Sequence, residues 1–432
     1  MLLLAASQGR GQTCSLAEVV KAGDCFHCTI DMQLEGEMRF RQDGKTVPVK
    51  LAATAHHAYP ERVLAAGGSL VLKSARLYEA AGASIRRGPS KTDSTLRKGR
   101  TFIVAQRHKD QYLVYSPAGA LYRGELELLA DHFDTLDVAG VLPGKAVGVG
   151  ESWKLANAVT QALCSLEGMT ENKLEGRLEK ASAAEATFRI SGTAAGVEAG
   201  ALVKMTVEAV GSFDRKAMRL TRLEWKQTDD RQQGPVSPAS SVRTKVVLAR
   251  KPVAVPRTLD DTALVAVPAG YAPPAAMTYV ELRDEKGRFA LLHTRDWQLT
   301  AVTADRAVLR LVDRGDFVAQ VSVTPWEKAK KGEHLSAAAF KEAMAATSGW
   351  EPAQELQSGE VPSGEGRWVY RLSVQGKLQG VEVLQNFYLV AAPTGEQVVL
   401  TFTLSPRHAD KLGARDLALA GSMEVPAAAE KK

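Results

Sequence analysis

The clearest pattern in the chain is an alternation of apolar and polar positions, with Ile30, Met32 and Leu34 set against Asp31, Gln33 and Glu35 within residues 29–40. A period of two places all the apolar side chains on one face of a strand. Asp43-Gly44 supplies a tight turn before the pattern resumes over 47–55, so a hairpin with one buried face is predicted. Further strand-like runs cover 69–78, 101–107 and 111–115. The period then changes. Leu126, Leu129, Phe133 and Leu136 fall at helical spacing and predict one amphipathic helix over 123–138. Strands return over 173–180, 185–191, 199–213, 217–228 and 242–248, joined by short turns such as Asp214-Arg215-Lys216.

Long strands with a single helix among them predict an α+β fold: a curved antiparallel sheet with the helix embedded against its concave side. Between the helix and the later strands lies a turn-rich re-entry, Leu142-Pro143-Gly144 and then Val149-Gly150-Glu151-Ser152-Trp153, with Trp153 expected to anchor the return to the core. This layout resembles the half-barrel of LolA-type extracytoplasmic lipoprotein carriers, and the Leu-Pro…Val-Gly-Glu-Ser-Trp stretch resembles that of secreted bacterial proteins with such a domain. The resemblance covers residues 18–250 and implies a groove for an apolar ligand, without transferring functional residues. Leu126, Leu129, Phe133 and Leu136 are the candidate groove helix.

Residues 251–276 hold Pro252, Pro256, Pro268, Pro273 and Pro274, a composition that stays extended and reads as a linker. Beyond it the rhythm differs. A short strand, 289–293, leads to Asp296-Trp297, and a hairpin, 307–312 and 317–324, turns through Asp313-Arg314-Gly315-Asp316. Ser336 is placed to cap a helix, with Leu335 and Phe340 as a hydrophobic staple. Strands over 351–361, 367–374, 378–391 and 397–404 follow, with turns at Ser363-Gly364, Gln375-Gly376 and Thr394-Gly395. Ser405-Pro406 starts a last helix. Residues 277–426 resemble the PsbP-like fold, an antiparallel sheet with flanking helices, which implies a binding or scaffolding module. Residues 427–432 read as a disordered tail.

Charge sharpens this picture. The net charge of +6 in 432 residues suggests a polyanion partner until it is located. Residues 85–109 alone hold eight basic residues against one acidic, Asp93, so the excess is local. Arg86, Arg87, Lys91, Arg97, Lys98 and Arg100 form a candidate contact for an anionic partner, or else a solvated connection with basic edges. The segment has one aromatic, Phe102, which argues against nucleic acid. No apolar run reaches the roughly 20 residues of a membrane-spanning helix.

The start, Met1 to Ser7, resembles the end of a secretory signal with a short apolar run, and residues 1–17 are read as a leader remnant. This predicts an extracytoplasmic protein, periplasmic or secreted. Cys14, Cys25, Cys28 and Cys164 lack the second close pair of a common zinc site and are read as free or disulfide-paired. His56 and His57 point to opposite strand faces, and Gly150-Glu151-Ser152 lacks the second glycine of a nucleophile elbow. No cofactor or metal set is expected. The expected function is therefore a non-catalytic binding protein for an apolar small molecule or lipid, or for a protein partner segment. The alternative is an interaction scaffold using the basic segment, and a hydrolase using Ser152 or a thiol redox role for Cys25 and Cys28 ranks last.

Overall fold

A computed structural model describes residues 13–426 apart from 43, 69, 109–110, 131–132, 199, 271, 314 and 365. Asp43 and Arg314 of two predicted turns, Lys109, His132, residues 1–12 of the expected leader and the tail 427–432 lie outside the described residues. The chain divides into two compact units, residues 13–119, 124–234 and 238–277 in the first and 120–123, 235–237 and 278–426 in the second.

The first unit is built on one 14-stranded antiparallel sheet. Its spine is the hairpin Cys25–Gln42 and Lys45–Gly67, paired without interruption from Cys25↔Arg62 to Gln42↔Lys45. Strand Ala239–Pro252 flanks it on one side, followed by Arg219–Arg231, Ala201–Asp214 and Glu185–Glu198. On the other side strand Lys45–Gly67 serves two neighbours. Residues 51–58 pair with Ala80–Arg87, and residues 61–67 pair with Leu70–Leu77. The alternation that defines these strands becomes burial: along Ala201–Asp214 every second side chain is buried and the others point to solvent. That is the outcome expected when one sheet face is covered and the other wet.

The covering layer differs from the single predicted helix. A helix runs over Arg123–Ala130, and a 3-10 segment over Thr135–Val141. Asp134 breaks the run by adopting an extended conformation and accepting a hydrogen bond from the Leu136 amide, an N-cap that starts the second segment. Leu126, Leu129, Phe133 and Leu136 are all buried nevertheless, because both segments lie on the same sheet face. Trp153 is buried as expected, donates to the Val141 carbonyl at 2.9 Å, and lies so close over Gly176 that a Cβ there would meet its ring at 2.3 Å. A second helix, Asn157–Leu163, completes the cover.

Three further expectations are corrected. The proline-rich stretch is no free linker: Leu259 is fully buried, Arg62 donates to its carbonyl at 2.9 Å, and Lys73 donates to the carbonyls of Pro268 and Gly270. Residues 13–17, read as leader, are folded, with Thr13–Ser15 pairing with Ala146–Gly148 and Leu16 buried. The basic connection is a regular hairpin, Ala80–Arg87 and Ser90–Thr95. Its strands escaped the alternation test because neither face is apolar throughout.

The second unit carries a seven-stranded antiparallel sheet and a smaller three-stranded one. Helix Ala337–Ala345 covers one face, capped by Ser336, with Phe340 and Met344 buried among Trp350, Leu372 and Phe387. The opposite face is closed by Arg415–Gly421, whose Asp416 accepts from Asn386 at 2.7 Å and from the Tyr388 hydroxyl at 2.9 Å. The predicted last helix is interrupted, since Gly413 takes a positive φ of 56° between Ala409–Leu412 and Arg415–Gly421. The turn expected at Gln375-Gly376 falls instead at Gln379-Gly380, where strands Trp368–Leu378 and Val381–Ala391 meet.

Candidate functional site

The covered face of the first unit contains a row of buried charges. Glu61 and Arg76 are cross-strand partners with side chains 5% and 1% exposed, and the carboxylate accepts from Arg76 Nε at 2.8 Å and from the Ser74 hydroxyl at 2.9 Å. The remaining guanidinium nitrogens donate to the Tyr112 hydroxyl at 2.8 Å and to Thr135 Oγ1 at 2.7 Å. Thr135 opens the 3-10 segment, so Arg76 ties the cover to the sheet. A second tie joins Arg107 to Asp134 and Asp137, the latter at 2.7 Å. Burial pushes Asp134 up to about 6, against the pull of Arg107. Further along, Arg250 pairs with Glu18 at 3.1 Å and lies over the Phe26 ring.

These ties leave little space beneath the cover. The cavity between sheet and cover, bounded by Tyr59, Arg76, Tyr112, Leu129 and Phe133, is about 20 Å³. That is room for about one water. The four residues named as a groove helix are buried, and Leu129 and Phe133 line this small space.

The same sheet face continues past the cover. On the long hairpin, cross-strand pairs Met32↔Ala55, Leu34↔Ala53 and Met38↔Val49 are apolar yet only half-buried. Paired residues face the same side, so Ala53↔Ile85 and Ala55↔Ala83 extend this patch onto strand Ala80–Arg87. Asp31, Gln33, Lys50 and Thr54 project exposed from the other face of the hairpin. One cross-strand row runs Asp229, Val242, Gly36, Leu51, Arg87. At strand spacing it spans roughly 19 Å, with a carboxylate at one end and a guanidinium at the other. Asp229 Oδ1 has no hydrogen-bond partner among the described residues, and burial raises its carboxyl to about 7, with Glu198 adding to the effect.

Of the six basic residues singled out, the structure brings only some to one surface. Arg97 is committed internally: its backbone and guanidinium donate to the buried Glu125 at 2.7–3.0 Å. Lys91 pairs with Asp93 at 3.0 Å, and Arg100 donates to the Gly99 carbonyl. Arg86, Arg87 and Lys98 are exposed, with Arg86 and Arg87 on opposite faces of their strand. The role of Arg87 at the edge of the apolar face was not visible in the sequence, because it depends on the Leu51↔Arg87 register.

The thiols are all free and buried. Burial pushes Cys28 and Cys164 up to about 12, the opposite of activation. His56 bonds Asp31 at 2.7 Å on the outer face, while His57 lies buried edge-on to Tyr78. Ser152 sits exposed on the short strand Ser152–Lys154. Among the described residues no cluster of three or more His, Cys, Asp or Glu could hold a metal ion, and no helix is long and apolar enough to cross a membrane.

Two outcomes follow from these charges. Glu61→Ala strands the Arg76 cation and is expected to cost about 3–5 kcal/mol in urea unfolding, whereas Glu61→Leu combined with Arg76→Met costs much less. Asp229 titrates higher in the folded chain than when unfolded. Its penalty is therefore full above pH 7 and relieved as pH falls from about 7 towards 4. Asp229→Asn should raise the thermal midpoint at pH 8 by a few degrees and leave it nearly unchanged at pH 4, as scanning calorimetry at the two pH values would register.

No family model and no curated protein matches the sequence. Solved structures similar to part of the chain include cyanobacterial PsbP (CyanoP) from Synechocystis sp. PCC 6803, at 11% identity and a TM-score of 0.27, covering 37% of this chain and 98% of that one. The Ran-binding protein Mog1p of Saccharomyces cerevisiae matches at 14% identity and a TM-score of 0.26, covering 34% of this chain and 95% of its own. Lipovitellin matches at 7% identity and a TM-score of 0.29, covering 55% of this chain and 26% of its own. The likeness to PsbP and Mog1p thus concerns about a third of the chain.

Proposed function

We propose that the protein is a non-catalytic binding protein whose first unit, a half-barrel of the LolA type over residues 18–250, holds an anionic amphiphile with an acyl chain. The observation that carries this reading is the half-buried apolar patch beyond the cover, formed by Leu34, Met38, Val49, Ala53 and Ala55 with Ile85 beside them. Soluble proteins rarely leave a contiguous apolar surface open unless something docks there. From Leu34 to Phe40 the strand extends roughly 20 Å, room for an extended acyl chain. Arg87 at one edge offers a partner for an anionic head group, and Asp229 at the far edge disfavours the reverse orientation once ionised. Burial of Cys28 and Cys164 supports the absence of thiol chemistry from this reading. In this reading the protein acts in an extracytoplasmic compartment, and residues 277–426 serve in it as a PsbP-like contact module.

A fluorescent long-chain fatty acid, titrated into the delipidated chain, tests the proposal. Saturable binding is expected, weakened at least about ten-fold by Leu34→Glu and by Ala53→Glu. Arg87→Glu should weaken it several-fold and reduce its dependence on salt. Absence of binding, or affinity indifferent to all three substitutions, would overturn it.

A further inference from the structure

The second unit contains a cavity of about 210 Å³ between helix Ala337–Ala345, strand Trp350–Glu360 and the sheet. It opens to solvent along the exposed residues Ala345, Pro352, Ala353 and Gln354, and its volume exceeds the roughly 150 Å³ of an apolar cavity that takes up benzene. Its origin lies in the strand. Trp350–Glu360 is the edge of the seven-stranded sheet and slips register against Trp368–Leu378 twice, between Pro352 and Gln354 and between Glu355 and Gln357. Such bulges bend a strand, and residues 351–358 are exposed. The floor is apolar, built from Met344, Trp350, Leu372, Val374 and Phe387, with Trp350 and Phe387 in an edge-on pair at 6.4 Å.

At the mouth the helix and the strand are bridged by charge. Lys341 Nζ donates to both Glu355 carboxylate oxygens at 2.7 and 2.9 Å and to the Ser358 hydroxyl at 3.0 Å. The two charges satisfy each other, so the site offers no net charge to a guest. From this geometry we infer that the cavity is a binding site for a neutral aromatic molecule of one or two rings. Volume sets the size, since the space is larger than a benzene cavity without approaching the 300–1,000 Å³ of drug-sized pockets. The aromatic pair and the Met344 thioether favour an aromatic guest, through edge-on ring contacts and sulfur–ring contacts. A charged guest would give up its hydration without gaining a free counter-charge.

Indole, toluene and benzoate are suitable probes, followed by ligand-observed NMR and calorimetry on the full chain. Indole and toluene are expected to bind saturably, and benzoate at least about ten-fold more weakly. Ala345, on the helix, and Ala353, on the strand, both line the space and are solvent-accessible, so Ala345→Phe and Ala353→Phe can occupy it without disturbing the core. Each is expected to weaken toluene binding at least about ten-fold while the thermal midpoint stays at or above that of the parent. Failure of both neutral probes to bind the parent, benzoate binding as well as toluene, or unchanged affinity in both filled variants would overturn the inference.

Discussion

The guanidinium of Arg76, 1% exposed, is the group on which the arrangement of the first unit depends. A buried cation is tolerated only when its charge and its donors are matched. Glu61 supplies the charge, Tyr112 anchors one nitrogen, and Thr135 accepts from another. Because Thr135 belongs to the cover rather than to the sheet, satisfying Arg76 fixes where the cover ends against the strands. Arg107 repeats the device with Asp134 and Asp137. The cavity at this junction is about 20 Å³, and the guest of the proposed function is placed instead on the stretch of sheet that the cover does not reach.

That displacement reorganises the functional picture. The long hairpin passes from fully buried pairs such as Cys28↔Tyr59 to half-buried ones such as Leu34↔Ala53. The buried end holds the thiols, the tyrosines and the ion pairs, and its groups are driven away from reactive states by desolvation. The open end holds methyl and thioether groups, with the Arg87 guanidinium at one flank and the Asp229 carboxylate at the other. Reactive groups and exposure therefore separate along the same two strands.

Much of this was legible in the sequence where one physical rule dominated. Period-two alternation located the hairpin from Ile30, since a half-buried antiparallel strand imposes that period, and strand-like runs located 111–115 and 397–404. The helix over 123–138 was overdrawn because helical spacing of Leu126, Leu129, Phe133 and Leu136 survives when two short segments share one face. Asp134, a strong N-cap residue, was the signal for the break. Arg97 and Arg107 read as surface charge because their buried carboxylates, Glu125 and Asp134, lie 28 and 27 residues away. Spacing in sequence carries no trace of such pairs. The proline-rich segment lacks secondary-structure period, so the burial of Leu259 was equally hidden. The cavity beside Trp350 arises from two bulges, which depend on register and not on composition.

In the proposed binding mode an apolar guest occupies the sheet beyond the cover and not the space under it. Paramagnetic broadening by a spin-labelled fatty acid, read on side-chain methyl resonances of the full chain, measures this directly. Broadening is expected to be strongest at Leu34, Met38, Val49 and Ile85 and weaker at Leu128 and Leu129. Broadening centred on Leu128 and Leu129, or none at the hairpin, would contradict it.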